Sequence, residues 1–293
     1  MASLKEIRRR ISSVKSTRQI TSAMKMVAAA RLRKAQDKIV KLRPYAAKLH
    51  ELLVGISQAM EEPGSENIYS RTAEKEKVLL VVVTSNRGLC GSFNANVIKE
   101  TMSLVEGKYS RQYREGELWI MTIGKKAWDF FRKREFQIYQ DKSELFDDLT
   151  FQNASELAEQ VMADFLEGKF DRVEFVYNKF KNAAVQELSY ETFLPLETEE
   201  EEEDLPPGDY IFEPGREEII KELIPKTLKI QFYRTVLDSY VAEHGARMTA
   251  MHMATDNATG LIRDLNLEYN KARQASITNQ ILEVVNGAEA LSS

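Results

Sequence analysis

The sequence has little of what ends helices or cross-links small folds. Its 293 residues include 7 prolines and 13 glycines, so long stretches lack a helix-stopping residue, which favours long helices over many short strands. The single cysteine, Cys90, excludes an intrachain disulfide framework. No run of 18 apolar residues occurs, so we expect no membrane-spanning helix. These absences argue against disulfide-rich and integral membrane proteins.

Recognisable catalytic motifs are also missing. Residues 84–94 lack the three-glycine dinucleotide fingerprint and the Gly-Lys-Ser/Thr ending of a phosphate loop. A structural turn is therefore favoured there, although a helix N-terminus can hold an anion. Cys90 has no histidine nearby in sequence to activate it. His244 and His252 share a helix face, but one helix at that spacing cannot enclose a metal ion. The sequence thus predicts no catalytic, cofactor-binding or metal site.

Charge is distributed unevenly along the chain. Residues 1–50 carry 14 basic and two acidic side chains, a net charge of +12, so the remainder must carry −16 to reach the total of −4. This asymmetry favours an acidic partner for the N-terminal segment, or else a solvated charged face. Nucleic acid is disfavoured because residues 1–44 contain no aromatic side chain for base stacking.

Apolar residues recur at heptad spacing from Leu4 to Met60. Seventeen positions between Leu4 and Met60 follow this spacing and would form the seam, the stripe of a helix that faces its partner. Fourteen of them are apolar, which is typical of a coiled coil. A helix of this length would extend roughly 87 Å. We expect Pro44 to bend it at most and residues 61–64 to end it. Residues 1–35 also have the composition of a transit peptide, but a heptad pattern that begins at Leu4 disfavours that alternative.

The N-terminal seam has one polar interruption. Arg18, Thr21 and Lys25 occupy seam positions, and the small and flexible residues 24–30 follow at once. Charges at seam positions weaken helix pairing, and methionine-rich surfaces adapt to changing contacts. We therefore expect this stretch to contact something other than the chain itself.

A second long helix is predicted from Arg216 to about Gly287, with Pro225 as the only interruption. Its looser heptad seam runs through Leu237, Tyr240, His244, Arg247, Met251, Ala254, Ala258, Leu261, Leu265, Glu268, Ala272, Ala275, Asn279 and Leu282. Long helices at the two ends of one chain most simply pair antiparallel. Because the C-terminal helix is longer, its tip should extend past the start of the N-terminal helix.

In the middle of the chain the apolar residues no longer recur at heptad spacing. Continuous apolar runs predict strands at 78–83, 118–123 and 172–177, with helices near 94–104, 125–133 and 155–166 and a further edge strand at 186–193. This alternation is typical of a small α/β domain with a largely parallel sheet. The predicted fold class is thus α/β plus a long coiled coil, divided into 1–62, 63–215 and 216–293. The acidic residues 197–204 are interpreted as a solvated loop.

Three separated motifs closely resemble the gamma subunit of F-type ATP synthases. They are IRRRISSVKSTRQITSAMKMVAA at 7–29, RGLCG at 87–91, and at the C-terminal end ARMTAM at 246–251, ATDNA at 254–258 and YNKARQASIT at 269–278. The resemblance covers both ends and the length between them. It implies that the terminal helices form a central rotor shaft inside a ring of alpha and beta subunits. The foot, with the epsilon subunit, would sit on a membrane ring of c subunits.

The resemblance also implies roles for particular residues. Met24 and Lys25 would lie near the lever of the beta subunit. Arg247, Gln274 and Thr278 would contact the beta catch region. Nucleotides would bind alpha and beta, so the chain itself would be non-catalytic, need no cofactor and occur once per complex.

A foot contact and a location follow from the same resemblance. Tyr210, Phe212 and Glu213 would lie near epsilon or the c ring. The chain has neither the two-cysteine insertion of chloroplast members nor a transit peptide, which favours a bacterial member at the cytoplasmic face of the cell membrane. The ring would be turned by hydrogen ions or sodium ions.

Two other hypotheses remain open at this stage. A stand-alone coiled-coil scaffold that binds an acidic partner would not migrate with nucleotide-binding subunits in gel filtration. A nucleotide-dependent enzyme that uses the α/β domain would bind ATP as an isolated chain.

Overall fold

The computed structural model describes residues 3–58, 69, 77–196 and 216–292. The helices in this part are α1 Leu4–Gln58, α2 Phe93–Glu106, α3 Ser110–Glu115, α4 Lys125–Phe131, α5 Phe151–Leu166 and α6 Arg216–Ser292, with a 3₁₀ turn at Ser143–Phe146. The strands are β1 Val78–Val83, β2 Leu118–Ile123, β3 Gln137–Asp141, β4 Arg172–Phe180 and β5 Gln186–Leu194. The chain divides into a shaft unit, Met1–Ala28 with Met248–Ser293, and a head unit, Ala29–Arg247.

Two long helices are present as predicted, and each continues through its proline. Pro44 lies inside α1 and Pro225 inside α6. The predicted helix end at 61–64 and the acidic residues 197–204 lie outside the described residues. Within the described residues, no helix is long and apolar enough to cross a membrane. The three-part division at residues 62 and 215 stays a prediction.

The head unit is built on a five-stranded sheet of order β3-β2-β1-β4-β5. Neighbouring strands pair in parallel except β5, which runs antiparallel to β4 at one edge. All six residues of β1 are buried because it lies at the centre of the sheet with both faces covered. The predicted α/β domain with a largely parallel sheet and an extra edge strand is confirmed.

Three short elements were not predicted: α3, β3 and the 3₁₀ turn. The sequence of β3 is Gln-Ile-Tyr-Gln-Asp, and every residue of it is exposed or half-buried. An edge strand needs few apolar residues, since only one neighbour and part of one face cover it. It therefore gives a much weaker sequence signal than the buried run of β1.

One face of the sheet packs against α2 and α4. Val97 of α2 and Phe131 of α4 belong to the same apolar cluster as Leu80 and Ile120 of the sheet, and all four are fully buried. The apolar stripe on α2 and the short α4 thus cover the β1–β2 half of the sheet.

The other face packs against α6 through aromatic side chains. The Phe232 ring of α6 meets the Phe175 ring of β4 at 5.1 Å between centroids and the Phe193 ring of β5 at 5.6 Å. Phe151 of α5 meets Tyr233 of α6 edge-on at 5.7 Å. Edge-to-face geometry of this kind is favourable for aromatic pairs, so α6 is held to the sheet over its N-terminal half.

The carboxyl ends of β1 and β2 approach each other closely at a glycine. Gly124, which follows β2, has φ +116°, a region that favours glycine. A Cβ at this position would lie 2.0 Å from the Thr84 carbonyl oxygen. The Thr84 hydroxyl also accepts a hydrogen bond from the Ala127 N–H at 2.9 Å, which fixes the start of α4. The loops that follow these two strands are therefore held side by side.

Candidate partner-binding surfaces on the helical pair

In the shaft unit the two terminal helices pair antiparallel. The Thr21 and Thr255 hydroxyls are hydrogen-bonded at 2.8 Å, and the Arg8 guanidinium donates to the Tyr269 hydroxyl at 2.6 Å. Partners that move down one helix as they move up the other define the antiparallel direction. Ile7 forms an apolar cluster with residues of α6. The predicted antiparallel coiled coil is confirmed in this unit.

The predicted seam is right for α1 and partly wrong for α6. Among the α1 side chains that the structure describes, the buried ones all fall on seam positions: Ile7, Ile11, Thr21, Ala28, Leu32, Ala35, Ile39 and Leu49. On α6, Leu261 occupies a predicted seam position but is 45% exposed, whereas its neighbour Ile262 is 8% exposed. Both residues are apolar, so the sequence could not decide between them.

The polar interruption of the α1 seam lies beside exposed apolar side chains. Met24 and Lys25 are half-buried. Ile20, Met26 and Val27 are 60%, 65% and 54% exposed. A group of exposed large apolar side chains on a basic helix is a typical feature of a protein-binding surface.

The end of α6 has a second such surface. Gln274 and Thr278 are exposed, and the Thr278 hydroxyl donates to the Gln274 carbonyl oxygen at 3.0 Å. They lie beyond Tyr269, which pairs near the start of α1, so the C-terminal tip extends past the N-terminal helix as predicted. Large apolar side chains that are 46–72% exposed surround them: Ile277, Ile281, Leu282, Val284 and Val285.

Arg247 differs from the other candidate contact residues because it is buried in the head unit. It is 9% exposed, and its guanidinium donates to the Glu243 carboxylate at 2.5 Å. It also donates to the carbonyl oxygens of Arg87 at 2.8 Å and Gly88 at 3.4 Å. Arg247 thus binds α6 to the loop that carries the RGLCG motif. The sequence placed it on a seam but carried no sign of these partners.

Several side chains at the loop after β1 hydrogen-bond to one another. The Asn94 amide donates to the Cys90 sulfur at 3.2 Å and to the Ser85 hydroxyl at 2.8 Å, and its oxygen accepts from the Ser85 N–H at 2.9 Å. Burial raises the pKa of the Cys90 thiol, which disfavours the nucleophilic thiolate. This arrangement supports the structural interpretation of residues 84–94 as a strand-to-helix turn.

The histidines and the predicted foot residues complete the candidates. His244 is 2% exposed, and burial together with the nearby cations of Arg247 and Arg31 lowers its pKa to about 3. His252 lies on an exposed part of α6, with its Nδ1 3.3 Å from the Asp256 carboxylate. No cluster of three or more histidine, cysteine or acidic side chains suited to a metal ion occurs among the described residues.

The predicted foot residues fall outside the described part: Tyr210, Phe212 and Glu213.

Together these features define a class of protein: a shaft subunit built from the two ends of the chain, with an α/β domain between them in the sequence. Its exposed apolar and basic side chains suit contacts with other chains. The family model described as ATP synthase matches residues 3–291. The chain belongs to the ATP synthase gamma chain family. It is a non-catalytic subunit that forms the central rotor stalk.

Two relatives agree with this assignment, and a solved structure has the same fold. The chain is 52% identical over 291 residues to the ATP synthase gamma chain of Christiangramia forsetii, with 99% of each chain covered. It is 53% identical over 292 residues to that of Flavobacterium johnsoniae, again with 99% of each covered. A chain of the Euglena gracilis mitochondrial ATP synthase (OSCP/F1/c-ring, rotational state 3) has the same fold, with a TM-score of 0.68 at 20% identity over 98% of this chain and 94% of that one.

Proposed function

We propose that this chain is the rotor that couples ion translocation through a membrane ring to ATP synthesis and hydrolysis at the beta subunits of the F1 sector. The antiparallel pairing of its two terminal helices supports the proposal most directly. Paired helices resist twisting better than one, and an uneven surface presents different contacts to three identical partners at one instant. Each partner's conformational equilibrium then shifts by its own differential contact energy.

The proposed contacts with beta fall into two groups. Met24 and Lys25 lie near the beta lever, and the exposed apolar residues beside them would widen that contact. Gln274 and Thr278 contact the catch region from the exposed end of α6. The +12 charge of residues 1–50 complements an acidic lever and would speed correct docking more than it would add affinity.

Arg247 needs a different account, because its guanidinium already has partners within the chain. We propose that it contacts the beta catch region by exchanging its bond to Glu243 for an acidic group of beta. Its bonds to the Arg87 and Gly88 carbonyl oxygens can persist, since a guanidinium has five N–H donors in a fixed fork. In this arrangement Arg247 would link the partner to the head unit.

The proposed partners are the alpha and beta subunits, the epsilon subunit and the c-subunit ring, with the chain held peripherally at the cytoplasmic face of a bacterial cell membrane. The similar Euglena chain comes from an OSCP/F1/c-ring assembly, which supports assembly of this chain with F1 and a c ring. We assign the foot contact with epsilon or the c ring to Tyr210, Phe212 and Glu213.

The decisive experiment reconstitutes purified alpha and beta subunits with and without this chain. We expect a fast, cooperative ATPase only when the chain is present, and no ATP binding by the chain alone. Indifference of the ATPase to the chain would favour a stand-alone scaffold for an acidic partner. ATP binding by the isolated chain would favour a nucleotide-dependent enzyme.

Charge reversal tests the lever contact within the assembled complex. Lys25→Glu should lower the ratio of ions pumped to ATP hydrolysed while the complex still assembles. Lys15→Glu is the matched control, since Lys15 is an exposed base on the same helix and is not a seam position. An unchanged pumping ratio in Lys25→Glu, or equal losses in both variants, would contradict the assignment.

A further inference from the structure

The last turns of α6 have no neighbour among the described residues. The apolar cluster that joins the start of α1 to α6 reaches no further along α6 than Ala272. From residue 277 to residue 288, a segment called here the free end of α6, every residue is exposed, including Ile281, Val284 and Val285. A single helix of this length is marginally stable in water, and β-branched residues lower its stability further. The free end therefore opens locally more often than the paired part of α6.

The free end holds the only asparagine–glycine pair of the sequence, Asn286–Gly287. Both residues are exposed, and a Cβ built on Gly287 would meet no atom within 4 Å outside its own helix turn and chain neighbours. Glycine has no side chain to shield its amide nitrogen, and it adopts backbone conformations that other residues rarely reach. The Gly287 nitrogen is thus less hindered toward the Asn286 side chain than the nitrogen of another residue type would be.

We propose that Asn286 is a site of spontaneous deamidation. The Gly287 nitrogen attacks the Asn286 Cγ and forms a C–N bond, while the bond from Cγ to Nδ2 breaks and ammonia leaves with the proton of the Gly287 amide. Water then opens the resulting five-membered succinimide ring at one of its two carbonyl groups. The products are an aspartate or a β-linked isoaspartate, together with one ammonia, so water is the only co-reactant.

Local opening of the helix controls the rate of this reaction. A helical ψ of about −42° holds the Gly287 nitrogen out of the plane in which the ring closes. A helical N–H also donates to the carbonyl oxygen four residues earlier, which opposes loss of its proton. The attack therefore requires the turn to open, and opening is frequent only where little packs against the helix. The same dipeptide in the paired part of α6 would react more slowly.

Either product weakens the end of α6. An aspartate at position 286 would lie three residues after Glu283, where like charges repel, and near the helix C-terminus, where the macrodipole disfavours negative charge. An isoaspartate adds a methylene group to the backbone and so interrupts the helical repeat. The reaction thus shortens the helical tip of the shaft, while Gln274 and Thr278 remain within α6.

The test incubates the isolated full chain at neutral pH and follows deamidation by mass spectrometry after digestion with trypsin. Residues 274–293 form one peptide, because no lysine or arginine follows Arg273. The peptide also contains Asn279, an exposed asparagine of the free end that Gln280 follows, which serves as an internal control. We expect Asn286 to deamidate at least about tenfold faster than Asn279, with isoaspartate among the products.

Thr259→Asn separates the effect of the dipeptide from that of its position. It places an asparagine before Gly260, at exposed positions in the paired part of α6, where Ala258 and Ile262 are buried. The introduced asparagine should deamidate at least about tenfold more slowly than Asn286, because the paired helix opens less often.

Gly287→Ala tests the role of the glycine nitrogen. The new methyl group shields this nitrogen and favours the helical state, so deamidation at Asn286 should slow by about tenfold or more. Gly260→Ala is the matched control, since Gly260 is also an exposed glycine of α6 whose Cβ would meet nothing within 4 Å. It should leave the rate at Asn286 within about twofold of wild type, because the two sites are far apart along the helix.

Several results would overturn the proposal. Equal rates at Asn286 and Asn279 would show that the glycine has no effect, and equal rates at Asn286 and in Thr259→Asn would show that the lack of a helix neighbour has none. An unchanged rate in Gly287→Ala, or a product without isoaspartate, would exclude attack by the Gly287 nitrogen. None of these outcomes depends on whether the chain acts as a rotor, since the isolated chain is measured.

Discussion

Acidification is expected to destabilise the head unit through His244. This imidazole is 2% exposed and packs edge-on against the Tyr240 ring at 4.4 Å between centroids. Burial is the largest cause of its lowered pKa of about 3, and the cations of Arg247 and Arg31 add to the effect. An unfolded chain has none of these constraints, so the histidine there titrates near its ordinary pKa of about 6.5.

The sign and size of the effect follow from proton linkage. In the unfolded chain the His244 imidazole binds a proton below about pH 6.5, whereas in the folded chain it binds one only below about pH 3. The free energy of unfolding therefore falls as the pH falls through this window. A pH of 5 is about 1.5 units below the pKa of His244 in the unfolded chain. At 1.36 kcal/mol per unit, the free energy of unfolding is therefore lowered by roughly 2 kcal/mol.

Urea unfolding of the full chain at pH 7 and pH 5 measures this loss. Other groups titrate in every variant, so the informative quantity is the difference between wild type and His244→Gln. We expect wild type to lose roughly 2 kcal/mol more than His244→Gln between the two pH values. His252→Gln should behave as wild type does, since the His252 side chain is 55% exposed. Equal losses in wild type and His244→Gln would refute the reasoning.

Three further predictions concern packing, and urea unfolding of each variant checks them. Gly124→Ala should lower the free energy of unfolding by about 2–4 kcal/mol, because φ is positive there and the new Cβ would lie 2.0 Å from a backbone oxygen. Gly260→Ala is the matched control, since its Cβ would meet nothing within 4 Å. It should leave the free energy of unfolding unchanged or raise it by up to about 1 kcal/mol. Phe232→Ala should cost about 3–5 kcal/mol, since it removes the ring that joins α6 to β4 and β5. Ile7→Ala, at 1% exposure, should cost about 2–5 kcal/mol, and Ile20→Ala, at 60% exposure, no more than about 0.5 kcal/mol. Equal effects within either the glycine or the isoleucine pair would contradict the packing argument.

The sequence predicted the elements whose burial is complete. The run Val78–Val83 is apolar throughout because both faces of β1 are covered, and a pattern of that kind needs no tertiary information. Gln137–Asp141 forms a strand because β2 offers it an open edge, and that edge exists only after the rest of the sheet has formed. Its own residues carry little strand signal.

Side-chain partners were beyond what the sequence could predict. Spacing placed Arg247 on a helix face, but its bonds to the Arg87 and Gly88 carbonyl oxygens join positions about 160 residues apart. The same limit applies to the phase of the α6 seam. Leu261 and Ile262 are adjacent and equally apolar, so the opposite helix decides which of them is buried.

The hydroxyl pair Thr21–Thr255 has a consequence for how the shaft carries load. An apolar seam loses little when one helix slides along the other by a heptad, because one apolar side chain replaces another. Here such a slide would place Thr21 opposite Met248 or Ile262 and leave both hydroxyls without each other as partners. A single polar pair in a seam fixes the register of paired helices for this reason. The Thr21–Thr255 pair therefore opposes slippage between the two helices when the shaft unit is twisted.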